Sequence, residues 1–263
     1  MNVSHTIKAV FFDIDGTLVS FKTNAVAEST KLAIQNLRNK GIKVIISTGR
    51  SINSLDHVKE IEFDGYICFN GGYCATREGT VLHRQAIDSA DIKRLLDYSL
   101  SDPISFALMY EDSVKVNDTT AEVAGMYAHL NLPVPPMLDR STAKINNVLQ
   151  ANIFLRPDDE PQFMREVMPN SVATRWTPLF ADVNANGLSK AIGIETFCNF
   201  FGIAITETMA FGDGGNDIEM LKRTGIGVAM GNANQNVKEV ADYITDDTDN
   251  DGIWKALLHY QII

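Results

Sequence analysis

The chain has 263 residues, 45% of them apolar and 21% charged, which suits one large or two modest folded domains and excludes a disordered chain. Its formal net charge of −10 argues against a nucleic-acid backbone as partner, because phosphate backbones are contacted by basic surfaces. No apolar run approaches the roughly 20 residues that span a bilayer, no signal-peptide pattern precedes the first strand, and Cys68, Cys74 and Cys198 are too few and scattered for a disulfide framework, so a cytoplasmic protein with reduced core cysteines is expected.

The first element lies in KAVFFDIDGTL, residues 8–18. Ala9 to Phe12 have the length and the aromatic or aliphatic character of a strand buried on both faces, and it ends in the carboxylate of Asp13. Asp15 follows two residues on, and Gly16 lets the backbone turn sharply around one small volume. Two carboxylates so placed call for a cation, and hard oxygen ligands at the mouth of an α/β sheet suit Mg²⁺. Residues 28–40 carry Leu32, Ala33, Ile34 and Leu37 at helical spacing, with Gly41 as the stop. Residues 42–46 read as a second buried strand, which runs into Ser47-Thr48-Gly49-Arg50 before a further helix from about Ser51.

Strand, helix, strand, helix implies parallel pairing by right-handed crossover, which brings Asp13 and Thr48 to carboxyl ends of strands facing one ligand. Thr48 can cap the helix after it, and the free N–H groups of a helix start also bind phosphate. Arg50 is open between a surface salt bridge and a contact with substrate or cap.

A third strand at residues 66–69 leads into Asn70-Gly71-Gly72 and a hairpin through Glu78-Gly79. The pattern then changes. From about Arg84 to Asn186 it predicts a helix at 88–100, strands within 104–116, a helix at 119–130, a Pro-rich turn at 133–136, a strand at 148–155, a helix at 159–167 and two strands flanking Thr177-Pro178. Helices and strands are grouped there rather than alternating, as in an α+β unit inserted into the first domain. The division expected is 1–83, core; 84–187, inserted domain; 188–263, core again. Alternation resumes with a helix at 189–201, a strand at 209–211, a helix at 217–223, a strand at 227–230, a helix at 234–241, a short strand at 243–245 and a last helix from Gly252. The acidic run Asp247, Asp249, Asp251, Gly252 begins like a calcium loop, but Leu258 stands where a bidentate Glu is required, so it reads as a solvated loop with Asp251 favouring the helix start. The five histidines show no metal-ligand spacing.

Two segments of the last third answer the needs of the first. Lys190, in GLSKAIGI, can neutralise a phosphate oxygen and the carboxylates together. In FGDGGNDIEML a short strand ends near Gly212, Asp213 follows at its tip, and Gly214-Gly215 permit a tight loop before Asn216 and Asp217. The order Asp-x-Asp-Gly-Thr, Thr-Gly-Arg, Lys, Gly-Asp-x-x-Asn-Asp resembles the four motifs of the haloacid dehalogenase (HAD) superfamily of phosphotransferases, and the insertion resembles its capped Cof-type subfamily, class IIB. The similarity runs across essentially the whole chain. Ala191 departs from the glycine many such proteins place after the lysine, a change a helix start tolerates.

The resemblance implies a Rossmann-like α/β core with a parallel sheet and an inserted α+β cap, and a Mg²⁺-dependent phosphatase of small phosphorylated metabolites, sugar phosphates foremost. By it Asp13 is the nucleophile and Asp15 the acid/base. Asp13, the main-chain carbonyl of Asp15 and Asp213 hold the metal, and Asp217 belongs to the metal site by orienting a metal-bound water. Thr48, Gly49, Lys190 and Asn216 belong to the phosphate site, with Asn216 orienting Lys190 or the loop. A phosphomutase or phosphotransferase uses the same residue types, and a phospho-accepting receiver module shares the Asp pocket, Mg²⁺, hydroxyl and lysine on a smaller scale. The partner expected is a small phosphorylated substrate, with neither nucleic acid nor membrane, for a monomer or small homo-oligomer. A cap of this kind closes over small substrates, with Arg175, Trp176 or Asp182 as polar groups to meet sugar hydroxyls.

Overall fold

Strand β1, Ala9–Phe12, has all four side chains buried, as a strand covered on both faces must. The computed structural model describes residues 6–129, 132–175 and 178–263. From β1 the chain passes through two turns to helix α1, Glu28–Asn39, which buries Ala33, Ile34 and Leu37, and then to strand β2, Lys43–Ser47. The helix expected from Ser51 is absent. Two 3-10 turns, Ile52–Ser54 and Asp56–Val58, stand in its place. Ser51 and Ser54 pair their hydroxyls at 2.8 Å instead of capping a helix, the competition by which Ser, Asn and Asp oppose helix interiors. Strand β3, Gly65–Cys68, pairs parallel with β2, and the hairpin of β4, Tyr73–Thr76, and β5, Val81–Arg84, continues the sheet antiparallel.

The chain divides into two compact units, Met1–Arg84 with Ser189–Ile263, and Gln85–Leu188. The second unit runs α2, Ser89–Ser101; β6, Ser105–Met109; β7, Val114–Val116; α3, Ala121–His129; β8, Gln150–Phe154; α4, Glu160–Glu166; β9, Ser171–Thr174; and β10, Ala181–Ala185. Its five strands lie in the order β7-β6-β8-β10-β9, every pair antiparallel. Phe106, Leu108, Ala151, Ile153 and Val183 pack with Ile92, Leu95 and Phe163 of α2 and α4 in one core. Of the groups expected to meet sugar hydroxyls, Arg175 spends its guanidinium on Glu160 and on the carbonyls of Leu155 and Pro178. Asp182 accepts from Gln150 and Asn152 on the neighbouring strand. Trp176 lies outside the described residues.

The first unit resumes with α5, Lys190–Phe201; β11, Thr208–Gly212; α6, Ile218–Arg223; β12, Ile226–Ala229; α7, Gln235–Lys238; β13, Tyr243–Ile244; and α8, Gly252–His259. Its eight strands lie in the order β13-β12-β11-β1-β2-β3-β4-β5, parallel from β13 to β3. Alternation along β1 splits the core in two. Val10 and Phe12 join α1 and α8, with Phe12 stacked on Phe211 at 5.1 Å. Ala9 and Phe11 join Ile194 and Phe197 of α5 and Met220 and Leu221 of α6. Asp251 precedes α8 in left-handed backbone, φ 60, and accepts from Ser29 at 2.5 Å rather than capping the helix. All three cysteines are buried and unpaired. Among the described residues no helix is long and apolar enough to cross a membrane.

Candidate active site

Because β1 and β11 are parallel neighbours, Phe12 beside Phe211, their following residues emerge at one edge of the sheet. Asp13 donates its N–H to Phe211 O at 3.0 Å, which ties the first acidic turn to the strand leading to Asp213. Gly16 makes that turn possible. It sits at φ +82, and a Cβ there would fall 2.2 Å from Asp213 Oδ2 and 2.6 Å from the Phe21 ring. Gly16→Ala should therefore destabilise by at least about 2 kcal/mol, the left-handed backbone penalty plus the clash, and chemical denaturation measures it. Unchanged stability would mean that the turn relaxes freely.

Lys190, the first residue of α5, is fully buried, a placement lysine tolerates only when paired. Its Nζ donates to Asp13 Oδ1 at 2.6 Å and to Asp217 Oδ1 at 2.5 Å. Burial works against its charge, but the two carboxylates outweigh burial and hold its pKa above that of a free lysine. Asp217 Oδ2 accepts from the N–H groups of Asp213 and Gly214 at 3.0 and 2.9 Å, so both oxygens of Asp217 are engaged by the protein. Asp217 can thus steer Lys190 and the loop.

Asp13, Asp213 and Asp217 each bring one carboxylate oxygen within 4.8 Å of the others, the only such acidic group among the described residues. Three buried carboxylates face one ammonium. Burial, outweighing the opposed pull of Lys190, raises the Asp13 carboxyl well above the usual range. Burial and then Asp217 push Asp213 up to about 7. The set is short of positive charge, and its hard oxygen donors fit a divalent cation of the Mg²⁺ type. Thr17 donates to Asp213 Oδ1 at 3.0 Å, and Asn232 Nδ2 donates to Asp213 Oδ2 at 3.2 Å and to Gly16 O at 2.8 Å. Thr248 donates to the same Gly16 carbonyl, and its N–H meets Asn232 Oδ1 at 3.2 Å.

At the other side of the site, Thr48 is buried beyond β2, and its Oγ1 accepts from Arg50 N–H at 3.1 Å, which leaves the hydroxyl proton to point elsewhere. Asn70, in left-handed backbone at φ 54, donates its N–H to Thr48 O at 3.1 Å and accepts from Asn216 at 3.0 Å. A Cβ on Gly49 would stand 3.2 Å from Asn70 Oδ1, so Gly49 leaves room for that bridge. Asn216 thus holds the 48–50 and 69–72 loops, while the residue that orients Lys190 is Asp217. Asp15 lies outside the buried acidic group and is held by Arg50 at 2.6 and 2.8 Å. Sequence reasoning missed Asn232, Thr248 and the role of Asn70. The Asn70-Gly71 pair was a signal, but it read only as a turn.

A sequence model of the haloacid dehalogenase-like hydrolases matches residues 10–257. The chain is 32% identical to YkrA of Bacillus subtilis (strain 168) over 253 residues, 95% of this chain and 96% of that one. Among solved structures, the HAD phosphatase BT1666 of Bacteroides thetaiotaomicron superposes with a TM-score of 0.92 at 39% identity, over 100% of this chain and 98% of that one. The subclass IIB sugar phosphatase BT4131 superposes with a TM-score of 0.86 at 40% identity, over 97% and 100%. With its α/β core, its second unit between β5 and α5 and its motif residues gathered at one sheet edge, the chain belongs to the haloacid dehalogenase-like hydrolases, as a phosphatase of their subclass IIB.

Proposed function

We propose that this enzyme is a cytoplasmic, Mg²⁺-dependent phosphatase of small phosphorylated metabolites, sugar phosphates foremost, acting through an aspartyl phosphate on Asp13. The observation that carries the reading is the meeting of Asp13, Asp213 and Asp217 around the buried ammonium of Lys190. Its likeness to the sugar phosphatase BT4131 supports the substrate class.

Asp13 attacks phosphorus, the ester P–O bond breaks, and the leaving oxygen takes a proton from Asp15. Water then attacks the aspartyl phosphate, its proton passing to Asp15, and phosphate departs. Splitting one hydrolysis into two displacements lowers each barrier, and proton transfer by Asp15 contributes about 10²–10⁴-fold. Two of Lys190's three N–H bonds fix the ammonium against Asp13 and Asp217, and the third is available to a phosphoryl oxygen. Thr48 supplies its hydroxyl proton to the same group, beside the room left by Gly49, and Asn216 keeps the loops around it in register through Asn70. Asp13, Asp213, Asp217 and the carbonyl of Asp15 would hold Mg²⁺ there, and the ion would supply positive charge against the phosphoryl oxygens.

A panel of phosphate esters assayed with Mg²⁺ tests the reading. Free phosphate released in step with substrate loss supports hydrolysis, whereas an isomeric phosphate ester as product replaces it with a phosphomutase. Chelation by EDTA should abolish turnover and Mg²⁺ restore it, with Ca²⁺ a poor substitute because its longer, looser coordination misplaces the reacting groups. Mg²⁺ at a hundredfold over its Kd should also stabilise the fold by about 2.7 kcal/mol, read as a rise in Tm. Full activity in excess chelator together with an unmoved Tm would remove the metal from the proposal.

A further inference from the structure

We propose that Arg50 is the positioning residue for Asp15, so that proton delivery to the leaving oxygen depends on the orientation this arginine imposes. The inference rests on the hydrolase reading above and on Asp15 as its acid/base. Arg50 Nε donates to Asp15 Oδ2 at 2.8 Å and Nη2 to Oδ1 at 2.6 Å, a two-pronged pair that fixes the plane of the carboxylate as well as its place. The remaining arm, Nη1, donates to Ser54 O at 3.0 Å, in the 3-10 turn that replaces the expected helix. The backbone N–H of the same residue donates to Thr48 Oγ1. One residue therefore links the phosphate-site hydroxyl to the acid/base.

The contrast with the other acids supports this assignment. Asp13, Asp213 and Asp217 are buried and fixed by Lys190, by backbone N–H groups or by Thr17 and Asn232. The Asp15 side chain is 42% exposed, follows a turn, and among the described residues takes both of its side-chain hydrogen bonds from Arg50. An ion pair this exposed contributes little to stability, so its geometry is the feature that has consequence. As the acid, Asp15 carries on one oxygen the proton it took up in the hydrolytic step, while the other oxygen keeps its bond to Arg50; a carboxyl left unheld and turned away from the ester oxygen cannot transfer its proton within the time of bond cleavage.

The chemistry supplies a discriminating test. When the ester bond breaks, the departing oxygen keeps the electron pair. A sugar or other alkyl oxygen needs the Asp15 proton, whereas 4-nitrophenolate carries the pair without it. In the full-length enzyme with Mg²⁺, Arg50→Gln should lower kcat/KM for an alkyl phosphate at least about tenfold more than for 4-nitrophenyl phosphate, a fraction of the about 10²–10⁴-fold that general acid catalysis provides. Arg50→Lys, which keeps the charge but loses the fork, should recover part of the difference, and it carries the same comparison if the glutamine variant does not fold. Asp15→Asn serves as the reference and should show the same selectivity, larger. If Asp15→Asn discriminates between the leaving groups and neither Arg50 variant does, Arg50 has no positioning role and the proposal is overturned. If Asp15→Asn fails to discriminate as well, the acid/base assignment of Asp15 is what has failed, and the proposal goes with it.

Discussion

Asp13→Asn is expected to reduce kcat by at least about 10⁴-fold while leaving the fold intact, because losses of that order follow removal of a covalent nucleophile. An amide neither attacks phosphorus usefully nor offers an anionic ligand to a cation. The folding side of the prediction follows from the charge count. Asp13, Asp213 and Asp217 share one ammonium, and burial already holds Asp13 well above the usual carboxylate range. Turning Asp13 neutral relieves that repulsion, and the amide oxygen can still accept from Lys190. The metal-free variant should therefore melt at the same temperature as the wild type or above it. Steady-state kinetics with Mg²⁺, set beside a thermal melt without it, separates chemistry from folding. Near-wild-type kcat would end the covalent mechanism.

Much of the core was legible because its signals are local. Ala9 to Phe12 form an unbroken apolar run ending in a carboxylate, and the alternation of buried strands with amphipathic helices predicts parallel pairing that brings Asp13, Thr48 and Asp213 to one edge. What was not legible depends on groups brought together from distant parts of the chain. Nothing near Asn232 or Thr248 announces that they grip the Gly16 carbonyl, 216 and 232 residues away in sequence. The helix expected after Thr48 failed for the opposite reason. The hydroxyls of Ser51 and Ser54 at its start bond to each other, and the turn is held by Arg50 reaching from Asp15 to the Ser54 carbonyl. Asn216 illustrates a third limit. Its place in the glycine loop was clear, yet whether it meets Lys190 or Asn70 depends on side-chain reach across two loops, which a one-dimensional pattern does not contain.

Lys190→Met should be the most damaging single change to the fold as well as to activity. Methionine fills much the same volume, so the loss is one of charge rather than packing, and it leaves the buried carboxylates of Asp13 and Asp217 facing each other with no cation between them. Removing one partner of a buried pair typically costs about 3–5 kcal/mol. The pH dependence identifies the cause. Asp13 already titrates above the carboxylate range with the ammonium present, and without it must move further up. A carboxyl whose folded pKa is raised contributes stability that is fully present below its unfolded pKa and is lost as pH rises through the folded value. The gap between wild type and variant should consequently be small near pH 4, where Asp13 can take up a proton, and widen toward pH 8. Mg²⁺ should close part of that gap by supplying the missing positive charge to the same carboxylates, although turnover stays low because no ammonium meets the phosphoryl oxygens. Urea titrations at the two pH values, with and without Mg²⁺, make the comparison. A gap that does not change with pH would assign Lys190 a packing role and remove it from the electrostatic centre described here.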